Sequence, residues 1–146
     1  QVELGELANE WRGFKFWSEN QEPRTELFTT SPEPNEPLVV KKNPLLEEYV
    51  DCLHFILSIG LEIGYYDTFY LKASYPEQGN RTNEFITERF NDCFRFANMM
   101  SEDNYFNELV QYFFDLGYLL GFTWEQVVDA YYQKNEINHE RQENGY

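Results

Sequence analysis

The sequence predicts an all-α protein, a helical bundle of about five helices. Apolar residues recur at helical spacing in five separate stretches, and no stretch shows the alternation of apolar and polar residues that is typical of a strand. The aromatic content is high, with 13 Phe, 11 Tyr and 3 Trp, so the chain has enough large apolar side chains to fill a core. We therefore expect residues 1–146 to form a single domain.

The first helix is predicted from the stretch VELGELANEWRGFKFW and should end near Ser18. Its apolar residues fall on one stripe: Val2, Leu4, Leu7, Ala8, Trp11 and Phe14. The chain begins with Gln1 rather than Met, and no capping residue precedes the helical pattern. We therefore expect that an upstream segment, an N-terminal helix, is missing from this chain.

Residues 19–43 contain four prolines and few large apolar residues, which predicts a long irregular loop without strands. Pro44 suits the first position of a second helix, which should run to about Gly64. This helix is strongly apolar, yet it carries Glu48, Asp51 and His54. Burying unpaired carboxylates costs several kcal/mol or more, so the sequence raises the question of what compensates them.

Three more helices are predicted after a connector that contains Pro76 and Gly79. The third begins at Thr82, and its apolar face comprises Phe85, Ile86, Phe90, Cys93, Phe94 and Ala97. Ser101 or Asp103 should cap the fourth helix, and Gly121 should end it. Thr123 and Gln126 form a capping box for the fifth helix.

The charge and the cysteine content exclude several classes of function. A net charge of −15 argues against a nucleic-acid partner, because binding phosphates needs an excess of Lys and Arg. No stretch reaches the ~18 uninterrupted apolar residues of a membrane span, so we expect no membrane contact. Cys52 and Cys93 lie in apolar helical settings, which is typical of buried free thiols in a reducing cytosol.

Acidic residues form two groups that could hold a metal ion. Glu3, Glu6 and Glu10 share one face of the first helix, although taken alone they are better explained by a solvated acidic face. Glu48 and Asp51 lie three residues apart within apolar surroundings, where a solvated face is a weaker explanation. If the two helices pack together, four carboxylates converge and Mg²⁺ would make their burial favourable. Such a metal would also create a site for phosphates.

The last predicted helix carries a row of polar residues at positions 131, 134, 138 and 141. Tyr131, Lys134, Asn138 and Arg141 share one face if the helix continues that far. Lys and Arg suit phosphate oxygens, but cations at a helix C-terminus also interact favourably with the helix dipole. His54 is either a core histidine or a ligand-binding residue, and Trp17 either packs or stacks on a base.

These motifs together resemble the dimeric, all-α dUTP pyrophosphatases (dUTPases), which are related to the all-α nucleoside triphosphate pyrophosphohydrolases. The E-x-x-E motif matches residues 3–6, and the E-x-x-D motif matches residues 48–51 within EYVDCLHF. The K-x-x-x-N-x-x-R motif with a later G-Y matches Lys134, Asn138, Arg141, Gly145 and Tyr146. The resemblance covers residues 1–66 and 103–146 and leaves 67–102 as a variable helical insert.

The resemblance implies Mg²⁺-dependent hydrolysis of dUTP to dUMP and pyrophosphate, and hydrolysis of dUDP. It implies that Mg²⁺ is held by four acids: Glu3, Glu6, Glu48 and Asp51. Glu3 would orient or deprotonate the water that attacks the β-phosphorus. The phosphates would be clamped by Lys134, Asn138, Arg141 and Tyr146. His54 and Trp17 would line the uracil pocket.

The resemblance also implies a homodimer and a bacteriophage origin, which places the protein in the cytoplasm of the host cell. A bacterial repressor protein is an expected further partner, with the 67–102 insert as the surface that binds it. Two alternatives stay open. One is a pyrophosphohydrolase of other nucleotide specificity, and the other is a non-catalytic acidic module that binds a protein partner.

Overall fold

The computed structural model describes residues 1–29, 40–65, 81–99, 105–143 and 145. These residues form five helices and one short hairpin, so the predicted all-α class is confirmed. In chain order the elements are α1 (Val2–Trp11), β1 (Leu27–Thr29), β2 (Val40–Lys42), α2 (Pro44–Glu62), α3 (Asn83–Met99), α4 (Phe106–Leu119) and α5 (Trp124–Glu143).

Helix α1 ends at Trp11, so the predicted end near Ser18 was wrong. Arg12 adopts a left-handed conformation with φ of 66°, and its N–H donates to the Ala8 carbonyl. Gly13 follows, and a Cβ at that position would lie 2.4 Å from the Trp11 ring. The left-handed residue stops the helix, although apolar residues continue at helical spacing beyond it.

The expectation that residues 19–43 contain no strand was also wrong. β1 and β2 pair antiparallel, with Leu27 opposite Lys42 and Thr29 opposite Val40. Each strand has only three residues, too few for an alternating pattern to be visible in the sequence. The pairing depends on backbone hydrogen bonds between distant segments, which local periodicity does not reveal.

The predicted start of α2 is confirmed, and its end lies close to the predicted Gly64. Pro44 occupies the first turn, where its missing N–H is not needed. The Asn43 side chain caps this turn by accepting a hydrogen bond from the Leu46 N–H at 3.1 Å. The helix ends at Glu62, and Gly64 follows with φ of 73°. The start of α2 is therefore set by a cap that the sequence carries in full.

Helix α3 packs against α4 and contributes to the core. The Thr82 hydroxyl caps it by accepting from the Phe85 N–H at 3.3 Å, and Ile86, Phe90 and Cys93 are buried. Phe96 is buried as well, a residue that the predicted apolar face did not include. The structure therefore places the second part of the predicted 67–102 insert inside the core. Ser101 and Asp103, the predicted caps of α4, lie outside the described residues.

The junction between α4 and α5 matches the prediction. Gly121 has φ of 93°, a conformation that suits glycine after a helix end. Thr123 Oγ1 accepts from the Gln126 N–H at 3.2 Å, and Gln126 Oε1 accepts from the Thr123 N–H at 2.9 Å. This reciprocal pair is the predicted capping box, and it begins a helix that runs back along α2.

The core lies where α1, α2, α3 and α4 meet, and α5 closes one side. Tyr49 is buried at its centre, where it stacks on Phe113 with ring centroids 4.4 Å apart. Cys52 and Cys93 are buried free thiols, as the sequence predicted. Among the helices that the structure describes, none is long and apolar enough to cross a membrane.

Candidate active site

Arg24 links the C-terminal end of α1 to the start of α2. Its N–H donates to the Glu10 carbonyl at 2.9 Å, and its own carbonyl accepts from the Leu45 N–H at 3.1 Å. Its Nε also lies 2.9 Å from Glu10 Oε2. Since Glu10 is thereby placed beside the start of α2, the two helices run antiparallel. The first turns of α1 therefore lie beside the middle of α2.

This arrangement brings three of the predicted metal ligands together. Carboxylate oxygens of Glu3, Glu6 and Glu48 all lie within 4.8 Å of one another. Leu4 and Leu7, on the adjoining face of α1, are buried in the core beside this group. The E-x-x-E pair therefore faces the first acid of the E-x-x-D pair across the helix interface.

The electrostatics of this group are unfavourable without a cation. Burial raises the pKa of Glu48 to about 7, and the carboxylates of Asp51, Glu6 and Glu3 add to this shift. Burial also raises the pKa of Glu3, with further contributions from Glu6 and Asp51. A divalent cation would remove this penalty, because it favours the ionised form of every nearby carboxylate. The group offers only carboxylate oxygens, which are the ligands that hard cations such as Mg²⁺ prefer.

Asp51, the fourth predicted ligand, has a different partner. Lys134 Nζ donates to Asp51 Oδ2 at 2.7 Å, and both side chains are largely buried, with 29% and 22% of their surfaces exposed. The sequence assigned one of these residues to the metal and the other to the phosphates. The structure places the two in direct contact and so brings the tail of the chain to the edge of the acidic group.

One turn further along α2, His54 packs against Tyr131 of α5. The ring centroids lie 4.1 Å apart at an interplanar angle of 58°. His54 Nε2 is buried and has no hydrogen-bond partner among the described residues. Burial lowers the pKa of His54, Asp51 opposes this shift and Lys134 adds to it. The imidazole is therefore held neutral at pH 7.

Two contacts fix how α5 is aligned along α2 and therefore where its remaining polar residues lie. Lys134 contacts Asp51 and Tyr131 contacts His54, so α2 and α5 run antiparallel. Asn138 and Arg141 continue the same face of α5 toward the start of α2, past the level of Glu48. Asn138 is half-buried and Arg141 is exposed. Tyr146 lies outside the described residues.

A family model described as dUTPase matches residues 1–30 and 35–146, nearly the whole chain. The chain belongs to the dUTPase family. It is a dUTP diphosphatase, an enzyme that hydrolyses dUTP. The match runs through residues 67–102, the stretch for which the sequence motifs had no counterpart. Neither the comparison with curated proteins nor the comparison with solved structures gave a match.

In a dUTPase, the three clustered glutamates are candidate ligands of a metal ion. Enzymes of this family generally use a divalent metal ion, and the group of Glu3, Glu6 and Glu48 can hold one. Burial and neighbouring carboxylates raise the pKa of Glu3 and of Glu48, and a bound cation would oppose both shifts.

Trp17 does not lie close to His54 in this dUTPase. It follows the C-terminal end of α1, is 65% exposed, and contacts the rings of Phe14 and Phe16 in edge-on geometry. His54 instead faces α5. The structure therefore does not bring the two predicted base-binding residues together within the described chain.

An apolar cavity of about 540 Å³ opens beside Glu3, between α1, α2, α3 and α4. Phe55 lines it and is 56% exposed. The sequence motif EYVDCLHF included this residue but assigned it no role. The sequence signal for Phe55 is its place one helical turn after Asp51 within this motif.

Proposed function

We propose that this dUTPase hydrolyses dUTP to dUMP and pyrophosphate, and dUDP to dUMP and phosphate, with Mg²⁺ held by Glu3, Glu6, Glu48 and Asp51. One observation carries the proposal: three glutamates from two helices place carboxylate oxygens within 4.8 Å of one another. The raised pKa of Glu48 supports it, because the acids repel each other unless a cation lies among them.

Oxygen ligands favour Mg²⁺ over softer metals. The described acidic group contains no thiolate, and Cys52 and Cys93 are buried elsewhere with the pKa of each thiol raised by burial. When bound, Mg²⁺ would lower the pKa of a water molecule and neutralise charge that builds up on phosphoryl oxygens.

Glu3 is the proposed base. Its carboxylate borders the 540 Å³ cavity, so it is reachable from the side on which a substrate would lie. Burial and neighbouring acids raise the pKa of Glu3, which makes its carboxylate a better proton acceptor than an ordinary glutamate. In the proposed reaction it orients or deprotonates the water that attacks the β-phosphorus, and dUMP leaves.

The proposed phosphate clamp comes from the end of the chain. Lys134 supplies a point charge next to the acidic group, and Asn138 and Arg141 continue the same face of α5. The guanidinium of Arg141 is exposed and has no ion-pair partner in the described part of the chain, so it is available to phosphate oxygens. Tyr146 is proposed to complete the clamp.

The uracil base is proposed to be read by His54 and Trp17. The buried Nε2 of His54 lacks a hydrogen-bond partner among the described residues and sits one turn from Asp51. Trp17 is exposed and offers a ring for stacking, which requires it to approach the base from the far end of α1. Phe55 and the apolar cavity beside Glu3 supply a surface for the nucleoside.

Release of pyrophosphate from each dNTP, with and without Mg²⁺, tests the proposed function. We expect turnover of dUTP only with metal, and release of phosphate from dUDP. Glu48→Gln should be inactive, whereas Glu62→Gln, an exposed acid at the end of α2, serves as the matched control and should be fully active. Equal turnover of all dNTPs would favour a pyrophosphohydrolase of other specificity. Turnover that persists in EDTA would contradict the metal site.

A homodimer is proposed from the apolar surface of α2. Near its C-terminal end Ile59, Leu61 and Ile63 are exposed to 37%, 63% and 55%. Three large apolar side chains exposed within five residues of chain are a candidate interface, and we propose that a second copy of the chain covers them. Sedimentation velocity should show twice the monomer mass, and Leu61→Glu should shift the protein to monomer. A wild-type monomer would exclude the dimer.

Two further proposals rest on the family resemblance. The enzyme acts in the cytoplasm, that of the host cell if a phage encodes it. A bacterial repressor protein binds it through the region 67–102, in which the polar face of α3 with Glu84, Glu88 and Asn91 is exposed. Co-purification with a candidate repressor, lost when Glu84 and Glu88 are both changed to Lys, tests the second proposal.

A further inference from the structure

We propose that Lys134 and the divalent metal ion compete for Asp51, so that metal binding releases the lysine toward the nucleotide phosphates. The inference rests on the metal site of the proposed function. It assigns to Lys134 two alternating partners, a carboxylate of the metal site and a phosphate of the substrate.

The contact between Lys134 and Asp51 joins the proposed phosphate clamp to the proposed metal site. Lys134 Nζ lies 2.7 Å from Asp51 Oδ2, a short charge-assisted hydrogen bond between largely buried groups. Asp51 lies one helical turn after Glu48, so both acids point to the same side of α2. Nevertheless, only Glu3, Glu6 and Glu48 gather within 4.8 Å of one another among the described acids, and Asp51 is held by the lysine.

A lysine ammonium and a divalent cation use the same lone pairs of a carboxylate. The ammonium already donates to Oδ2, so a metal ion that binds there would share this oxygen with a second cation. Even a metal bound through the other oxygen of Asp51 would bring two cations within a few ångströms in a partly buried setting, where their repulsion is only weakly screened. Binding of the metal and retention of the lysine contact therefore oppose each other.

The released ammonium has a short path to a new partner. Tyr131 packs against His54 one turn before Lys134 on α5, which fixes the backbone of α5 against α2. The flexible four-carbon stem of the lysine is then the part that moves. Asn138 lies on the same face of α5, so a lysine that turns away from Asp51 reaches the row of residues proposed to clamp phosphates.

The movement of Lys134 from Asp51 to a phosphate couples the binding of metal to the binding of nucleotide. Without nucleotide, metal binding must break the lysine contact, which weakens the affinity for metal. A triphosphate that accepts the ammonium removes this cost, so nucleotide and metal each tighten the binding of the other by the same factor. The coupling passes through a single side chain, so substitution of that side chain should change the affinity for metal even when nucleotide is absent.

Calorimetric titration of the nucleotide-free protein with Mg²⁺, and with Mn²⁺ as a second probe, tests the exchange. We expect Lys134→Met to bind metal roughly fivefold more tightly than wild type, the scale set by loss of one partly exposed ion pair. Lys134→Gln should behave in the same way, and Lys134→Arg, which keeps the contact, should stay near wild type. Thermal unfolding establishes that each variant is folded.

Two controls separate competition from a general loss of positive charge. Lys42→Met removes an exposed lysine at the end of β2, away from the acidic group, and should leave the affinity for metal unchanged. Asp51→Asn weakens metal binding, and adding Lys134→Met to it should give no further gain. A gain of the same size in the Asp51→Asn background would show a through-space charge effect and overturn the exchange.

The outcomes distinguish this inference from the metal site on which it rests. Wild-type protein that binds neither Mg²⁺ nor Mn²⁺ would refute the metal site itself. Wild-type protein that binds metal, with Lys134→Met binding equally or more weakly, would refute only the exchange. Titration with the non-hydrolysable α,β-imido-dUTP completes the test. Metal should strengthen its binding less in Lys134→Met than in wild type.

Discussion

Carboxylate oxygens of Glu3 in α1 and Glu48 in α2 lie within 4.8 Å of each other where the two helices meet, next to the apolar core. Burial, together with the charges of neighbouring acids, raises the pKa of both groups, and a cation would stabilise their ionised forms. Arg24 ties Glu10 to the start of α2 and thereby supports the register on which this proximity depends. The candidate active site of the dUTPase is thus built into the packing of two helices.

Glu48→Gln and Asp51→Asn should each abolish metal-dependent turnover while the helix stays folded. Both changes remove a negative charge from the proposed metal site and preserve shape. We expect kcat for dUTP to fall by at least about 100-fold, the loss that follows removal of one group that stabilises developing charge. Pyrophosphate release measures this, circular dichroism verifies the fold, and Glu62→Gln is the matched control. Near-native turnover by either variant would refute the metal assignment.

The stability of the metal-free dUTPase should fall as the pH rises from about 4.5 to about 7. The pKa of Glu48 is raised from 4.5 to about 7 in the folded protein, so in this window the folded state holds a proton that the unfolded chain has released. Its contribution to stability is therefore present at low pH and is lost as the pH passes the folded value.

Thermal unfolding in EDTA between pH 5 and pH 8 measures this dependence. Glu48→Gln should show a flatter profile than wild type, because the amide does not titrate. Saturating Mg²⁺ should remove the fall in wild type, since the cation stabilises the ionised carboxylate. Identical profiles of wild type and Glu48→Gln in EDTA would show that Glu48 does not carry the effect.

Lys134→Ala and Arg141→Ala should weaken binding of dUTP. Each variant loses charge-assisted hydrogen bonds to phosphate, and we expect KM to rise by roughly tenfold or more. Arg141→Ala is the cleaner test because this side chain is exposed, whereas Lys134→Ala also deprives Asp51 of its partner. Lys42→Ala removes an exposed lysine outside the site and should leave KM unchanged. Michaelis parameters equal to wild type in Arg141→Ala would exclude that residue from the clamp.

Gly117→Ala should destabilise the fold without touching the proposed site. A Cβ at this position would lie 2.3 Å from the hydroxyl oxygen of Tyr49. Tyr49 cannot move away because it stacks on Phe113 and donates to its carbonyl at 3.2 Å. We expect a loss of about 2–3 kcal/mol in the free energy of unfolding, typical of overpacking in a core.

Gly5→Ala is the matched control for this prediction. No atom lies within 4 Å of a Cβ built on Gly5, which sits inside α1. Replacing a helical glycine by alanine in open space should stabilise the protein by up to about 1 kcal/mol. Urea unfolding of both variants gives the two free energies. A Gly117→Ala protein as stable as wild type would show that Tyr49 can shift after all.

Local sequence is sufficient to specify which stretches are helical, the side-chain caps at Asn43 and Thr123, and the faces on which the acids lie, although not where α1 ends. Each of these features is decided within one or two turns of chain, where helical periodicity and side-chain hydrogen bonds to nearby backbone act. The spacing of Glu3 and Glu6 is therefore sufficient to place the E-x-x-E pair on one face of its helix.

The partners that those residues contact depend on how the helices pack. The hairpin of β1 and β2 and the left-handed Arg12 that ends α1 both depend on contacts or conformations that apolar periodicity does not encode. Asp51 pairs with Lys134, 83 positions later in the chain, rather than joining the glutamates. These pairings depend on how the packed helices are aligned along one another. That alignment reflects the free energies of apolar burial and of charge interactions over the whole molecule. The sequence motifs therefore identify the acids, and helix packing determines which of them lie close together.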